Sequence, residues 1–261
     1  MFGNENAVEQ MKYNVKRLDS FRLLSMYGYE ALGQGHNMHA LVEFDVTDTR
    51  KQLRDLRKSG VNISFFSYLL FVIARVLEEN KKLNLIRKGK RLYYFDEIDI
   101  DLPVEVRQNG IMVPRKYVVK DASRKTAEAI SLEIEKAKTD NTESGTLGED
   151  DKWAQQWVRA MSFLPKWLFM FACRRLSNNP FFIKKRFGTT YVTSVSGFSD
   201  SPGFAVPFIA GQTRPLSFTI GNISRKPGIV GQEIKIREFL SMTVTINHDL
   251  VDGAPAARIV N

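Results

Sequence analysis

The sequence predicts a mixed α/β domain on a largely antiparallel or mixed sheet. Three observations lead there. Near the C-terminus, Ser241-Met-Thr-Val-Thr-Ile-Asn247 places Met242, Val244 and Ile246 on one side and Thr243, Thr245 and Asn247 on the other, the period of a strand with one buried face. In the middle, Gln108-Asn109-Gly110 joins two runs of β-forming residues, and Asn-Gly tolerates the positive φ of a tight hairpin turn. Between such runs lie stretches with helical spacing.

In chain order, Asn37 to Val46 reads as a strand, and Thr47 or Asp48 can cap a helix over Arg50 to Lys58 that Gly60 closes. Ser64 caps a long helix through Phe65, Leu69, Leu70, Ile73, Ala74 and Leu77, apolar nearly all round and so buried. That helix becomes charged too soon to span a membrane. Leu92 to Phe95, Ile98 to Arg107 and Ile111 to Val119 read as strands. Asp121 or Ser123 then opens a helix to about Lys138, with Ala127, Ile130, Ile134 and Ala137 on one stripe, and Asp140 to Asp151 is a polar loop. After an aromatic and basic interval, Thr190 to Ser196, Leu216 to Ile223, Gln232 to Arg237 and Ser241 to Asn247 are strands, with an irregular loop over Pro202 to Gly211.

Composition narrows the class. A chain of 261 residues with 43% hydrophobic content buries a large core, and no Pro/Gly/Ser-rich linker divides it. Residues 1–14 read as a polar tail and 15–261 as one domain, without the basic start and apolar centre of a secretory signal. The single Cys173 excludes an intrachain disulfide framework and a multi-cysteine zinc site, and no metal is expected. Both features point to the cytoplasm. The net charge of +9 is concentrated: Lys152 to Ser199 carries eight basic residues and no Asp or Glu. This favours a local basic patch over a surface-wide nucleic-acid partner.

The chemistry is sought at His248, at the tip of the last strand, with Asp252 four residues on and Gly253 after it. An imidazole that titrates near neutrality can take a proton from a thiol or hydroxyl and return it. Asp252 reads either as support for the histidine turn or as a helix N-cap, and the small residues from Gly253 on let a helix start close to its neighbours. His36 and His39 lack a third ligand and read as loop or strand-edge histidines. No Gly-x-Ser-x-Gly nucleophile motif is present, so direct attack by a deprotonated substrate fits better than a serine triad.

His248-Asp-Leu-Val-Asp252-Gly253-Ala254 followed by Ala256-Ala257-Arg258 resembles the His-x-x-x-Asp-Gly-Ala…Ala-Arg signature of dihydrolipoyl acyltransferase catalytic domains, the core acyltransferases of 2-oxo acid dehydrogenase complexes. Collinear likenesses accompany it: Glu43-Phe-Asp45-Val-Thr47, Ile100 to Pro114 with its Asn-Gly turn, Asp121-Ala-Ser123, and Gly188-Thr-Thr-Tyr-Val-Thr-Ser194-Val-Ser-Gly197 beside the family's Gly-Gly-Thr-Phe-Thr-Ile-Ser-Asn-x-Gly. Together they cover roughly residues 15–140 and 187–260. The resemblance implies a chloramphenicol-acetyltransferase-like two-layer sandwich and acyl transfer between acyl-CoA and a thiol, most simply dihydrolipoyl on a separate carrier. It implies His248 as general base, Ser194 as hydrogen-bond donor to the tetrahedral oxyanion, and Asp252 as the acid that shapes the histidine loop. Arg22 is the expected partner of Asp252 and Arg17 the runner-up. CoA enters as substrate, no cofactor is tightly bound, and a homotrimer or an assembly of trimers is implied, with the site at the subunit interface. The alternatives are acylation of a small-molecule hydroxyl or amine, and a non-catalytic structural or membrane-associated relative.

The departures from the pattern are specific. The family's Asp-His-Arg is Asn247-His248-Asp249 here, Val195 stands where Asn is usual, and no lipoyl domain or Pro/Ala-rich linker precedes the catalytic part. Residues 152–187, with Trp153, Trp157, Trp167 and the basic cluster, read as an insertion. It is expected either to be an extra helical pair with tryptophans as core or to lie on anionic lipid as a peripheral membrane contact.

Overall fold

The computed structural model describes residues 15–33, 35–108, 111–139, 160–161, 163–196, 202–209 and 214–260. Helix α1 (Ser20–Leu32) precedes strand β1 (Asn37–Asp45), helix α2 (Thr47–Lys58) and helix α3 (Phe65–Glu79). Strands β2 (Leu85–Lys88) and β3 (Arg91–Tyr94) form a small ribbon; β4 (Ile100–Gln108) and β5 (Ile111–Val119) form the central hairpin. Helices α4 (Ala127–Thr139), α5 (Lys166–Ser177) and α6 (Pro180–Phe187) lead to β6 (Thr190–Ser194), β7 (Leu216–Val230), β8 (Glu233–Asn247) and α7 (Gly253–Val260). The main sheet has six strands in the order β1-β8-β7-β6-β4-β5, with β6 parallel to both its neighbours and every other pair antiparallel.

The two faces of this sheet differ in chemistry. Leu102, Val104, Val192, Phe218, Ile220, Val244 and Ile246 face α3 and α4 in one apolar core with Leu70, Ile73, Leu77, Ile130 and Ile134. The alternate residues form a buried polar face of Ser217, Thr219, Ser241, Thr243 and Thr245, and the carbonyl of Gly203 lies close beside Gly221 there. Cross-strand register aligns Asp101, Tyr191, Ser217, Thr245 and His39 in one row, closed at the edge by His39 Nδ1 and Thr245 Oγ1 at 3.0 Å.

Most expected elements are present, with differences at their ends. Ser64 caps α3, its hydroxyl accepting from the Ser67 N–H at 3.0 Å. The cap of α2 comes from neither Thr47 nor Asp48: Asp45, at the end of β1, accepts from the Thr47 N–H at 3.0 Å and hydroxyl at 2.6 Å. The helix expected from Asp121 or Ser123 starts later. Asp121 adopts a left-handed φ of 46°, Ala122–Arg124 make one 3₁₀ turn, and the Thr126 hydroxyl accepts from the Ala129 N–H at the start of α4. The strands expected over Leu216–Ile223, Gln232–Arg237 and Ser241–Asn247 are two strands of 15 residues, β7 and β8, whose distal halves leave the sheet as an exposed arm. The Asn109-Gly110 turn lies outside the described residues, although Gln108 pairs with Ile111 on either side of it. The loop expected over Asp140–Asp151, together with Trp153 and Trp157, also lies outside them, and Trp167, expected either in a core or on a lipid-facing surface, is exposed.

Candidate active site

His248 sits where β8 ends. Its imidazole is exposed, but its peptide N–H donates to the His36 carbonyl at 2.8 Å, one step beyond the last β1/β8 pair. The turn beneath it is organised by Asn247, which is buried. The Asn247 carbonyl accepts from the N–H groups of Leu250 and Val251, both at 3.0 Å, and its Oδ1 accepts from the Asp249 N–H at 3.0 Å. Its own N–H donates to the Pro215 carbonyl at 2.9 Å. Buried Val251 and Ala256 anchor the turn and α7 to the core. Asp252 is exposed, and its carbonyl accepts the first helical bond of α7 from Ala256. That is the N-cap position. Gly253 is not needed for close packing, since a Cβ there would meet nothing within 4 Å.

Beside the imidazole, Asp249 bridges two elements. One carboxylate oxygen lies 2.8 Å from His36 Nδ1 and the other 3.6 Å from Arg87 on β2. His36, read from the sequence as a loop histidine, thus contributes both its carbonyl and its ring to the His248 turn. Among the described residues no hydrogen bond or ion pair joins Asp252 to Arg22. The Arg22 N–H donates instead to Asp19, which caps α1.

Ser194 ends β6 at the other end of the sheet. Its Oγ accepts from the Ser196 N–H at 3.3 Å and lies 2.6 Å from the Ser196 hydroxyl. Register places Ser194 level with Ile220 and Met242, six residues before His248. At roughly 3.3 Å per residue, that is about 20 Å along the strands. A single copy of the chain therefore does not bring His248 and Ser194 together.

A second ionic cluster lies on the polar face. Asp101 is buried with Lys116 at 3.7 Å and Arg214 at 3.4 Å, and Arg214 also donates to the Phe187 carbonyl at 2.7 Å. Burial raises the Asp101 pKa above the usual carboxylate value despite both cations. Burial likewise lowers Lys116 to about 8, with its ammonium 3.1 Å from the Phe187 ring centre. Only the carboxylate of Asp101 between the apolar residues Ile100 and Leu102 could have flagged this cluster from sequence.

Comparison with known proteins places the architecture. Residues 34–152 match the model of the 2-oxoacid dehydrogenases acyltransferase catalytic domain, a span that ends before Ser194 and His248. Over that span the chain is similar to that family. The dihydrolipoyllysine-residue acetyltransferase component of the pyruvate dehydrogenase complex of Mycoplasma capricolum is 21% identical over 222 residues, covering 83% of this chain and 41% of that protein. The lipoamide acyltransferase component of the branched-chain alpha-keto acid dehydrogenase complex of Bacillus subtilis is 28% identical over 99 residues, 36% of this chain and 22% of that one. The chain thus spans about two fifths of the first of these relatives and about a fifth of the other. Among solved structures, the Azotobacter vinelandii dihydrolipoamide acetyltransferase superposes with a TM-score of 0.64 at 14% identity, over 99% of this chain and 92% of that one. The truncated catalytic core of the 2-oxoacid dehydrogenase complex of Thermoplasma acidophilum gives 0.61 at 15% identity, over 95% and 94%. This is the acyltransferase-core fold that the sequence resemblance named.

Proposed function

We propose that this acyltransferase-type domain moves an acyl group between acyl-CoA and a thiol acceptor, dihydrolipoyl on a separate carrier, with His248 as the general base. The observation that carries this is the exposed imidazole on an internally bonded turn. The backbone of His248 is tied to β1, and Asn247 fixes the turn below it, so the ring is presented from a rigid base. In this reading Nε2 takes the thiol proton and the thiolate attacks the thioester carbonyl. The base then returns the proton to the leaving CoA sulfur. Ser194 supplies the oxyanion donor. The Ser196 N–H donates to Ser194 Oγ, and in this reading the Ser196 hydroxyl, 2.6 Å away, does so too, which leaves the Ser194 proton to point outward. The Azotobacter enzyme was studied for a catalytic serine, histidine and asparagine. Its asparagine lies four positions after the histidine, as Asp252 lies after His248, and its serine lies 52 positions before it. Here Ser194 and Ser196 lie 54 and 52 positions before His248. The strand pattern favours Ser194.

Because one copy holds the two residues about 20 Å apart, the reading requires a site between copies, His248 from one and Ser194 from the next, as in a cyclic trimer. The exposed arm of β7 and β8 supports self-association: Ile229 and Ile234 are opposed across it, with Ile236 beside Pro227, and the isoleucines are largely exposed. Arg22 is then free to meet Asp252 of another copy. Residues 15–261 form the acyltransferase domain in this reading, with 152–187 inserted, and it works in the cytoplasm. No described helix is long and apolar enough to cross a membrane.

The test is CoA release from acetyl-CoA with dihydrolipoamide as acceptor. His248→Ala is expected to lower kcat by about 10²- to 10⁴-fold, the usual contribution of a positioned base. Equal rates in wild type and variant would overturn the assignment of His248 as the base.

A further inference from the structure

Helix α5 carries apolar side chains on both of its faces. Its inner face is used: Phe169 is buried against Tyr27 of α1, with ring centres 6.3 Å apart. Lys166 pairs with Glu30 at 2.6 Å, and Arg174 Nε donates to the Ala31 carbonyl at 3.3 Å. The outer face carries Trp167, 69% exposed, and Phe171, 64% exposed, followed by Arg175. These stand at i, i+4 and i+8, so they form one stripe along the helix. Phe163, 87% exposed, precedes the helix. A folded chain rarely leaves large aromatics this open in a row without a partner for them.

The charge around the stripe selects the partner. The interval from Lys152 to Ser199 contains eight basic residues and no acidic one. Lys184 is committed to Glu97 and Asp99. Arg175, exposed on the stripe itself, has no side-chain partner among the described residues. A second copy seated on this face would meet its own positive charge. A nucleic acid would use the cations but leave the row of aromatics idle. We propose that the outer face of α5 docks on the surface of an anionic lipid bilayer. Trp167, Phe171 and Phe163 enter the interfacial layer, and Arg175 meets headgroup phosphates. The helix lies flat, as a monotopic element with aromatic and basic residues does, and the opposite face of α5 keeps the rest of the fold attached.

Flotation of the full-length chain with vesicles tests this. Vesicles of neutral phosphatidylcholine are compared with vesicles containing about 30 mol% phosphatidylglycerol, the anionic content that sets the surface potential. Flotation is expected with the anionic vesicles only, weakened in about 0.5 M salt as screening shortens to a few ångströms. Trp167→Ala with Phe171→Ala is expected to reduce the bound fraction about tenfold, and Arg175→Glu to reduce it with every apolar contact retained. Unchanged circular dichroism would tie both losses to the surface. Absence of flotation on anionic vesicles, or equal flotation by wild type and the double variant, overturns the proposal. So does self-association in sedimentation that the double variant abolishes in the absence of lipid, or oligonucleotide binding that survives loss of the two aromatics while no vesicle is bound.

Discussion

Asn247 does more for the candidate site than its neighbours, because three consecutive N–H groups of the turn depend on it. Its Oδ1 satisfies Asp249, and its carbonyl satisfies Leu250 and Val251. Replacing it by Ala strands the Asp249 N–H and empties a buried polar position, so a cost of about 1–3 kcal/mol is expected in urea unfolding. Acyl transfer should fall with it as the imidazole loses its support. A different consequence attaches to Lys116, whose pKa burial lowers to about 8 against Asp101's attraction. The unfolded chain keeps the ordinary lysine value near 10.5, so between pH 8 and 10.5 the unfolded state binds more protons than the folded one. Linkage then makes folding more favourable as pH rises through that window. The urea midpoint of Lys116→Met, compared with wild type at pH 8 and pH 10, should lack this gain. An identical pH response in both proteins would remove Lys116 from the account. Neither residue was prominent in the sequence. Asn247 appeared as one polar position of the last strand and as a departure from the Asp-His-Arg pattern, and Lys116 acquires its environment from β4, β6 and Arg214, brought together by folding.

Elements whose pattern is local were legible in the sequence, and those that depend on partners were not. Helix α3 announced itself through Ser64 and its apolar spacing, and the β4/β5 hairpin through Asn109-Gly110. Strand β2 was not foreseen, because Leu85-Ile-Arg-Lys is short and its pairing with Arg91–Tyr94 supplies the pattern. The length of β7 and β8 was missed because the arm has no buried face to impose alternation, and Pro227 and Gly228 read as breakers. The sequence left Trp167 either in a core or on a surface, and folding settles its exposure because α1 accepts only the Phe169 side of α5. One junction carries a sharp prediction. Gly188, between α6 and β6, has φ +60° and ψ −171°, and a Cβ there would lie 2.4 Å from the Asp99 carbonyl oxygen. Asp99 in turn holds Lys120 and Lys184, both at 3.0 Å, and so fixes α6 against the start of β4. Gly188→Ala should therefore cost about 3 kcal/mol or more, backbone strain of about 1–3 kcal/mol plus the displaced carbonyl. A urea midpoint within error of wild type would show that the junction relaxes.

At the scale of the whole molecule, the decisive feature is the distance along the sheet between the two candidate catalytic residues. In the sequence His248 stood out at the tip of the last patterned strand, whereas Ser194 became a candidate only through the family resemblance. Their placement at opposite ends follows from β6 running antiparallel to β8, which only the sheet order reveals. A site shared between copies makes a prediction that a site within one chain does not. Ser194→Ala alone should lose about 10²- to 10³-fold, the usual cost of one oxyanion donor, and His248→Ala at least as much. If the two are refolded together as a cyclic trimer, every mixed trimer contains one junction where an intact His248 meets an intact Ser194. An equal mixture should then recover about a quarter of wild-type sites, whichever direction the ring runs. Activity should appear only after co-refolding, not on mixing separately assembled proteins, provided subunits exchange slowly. Recovery after co-refolding would place the two residues on neighbouring copies. No recovery, with trimers confirmed by sedimentation, would mean that His248 and Ser194 do not act on the same thioester.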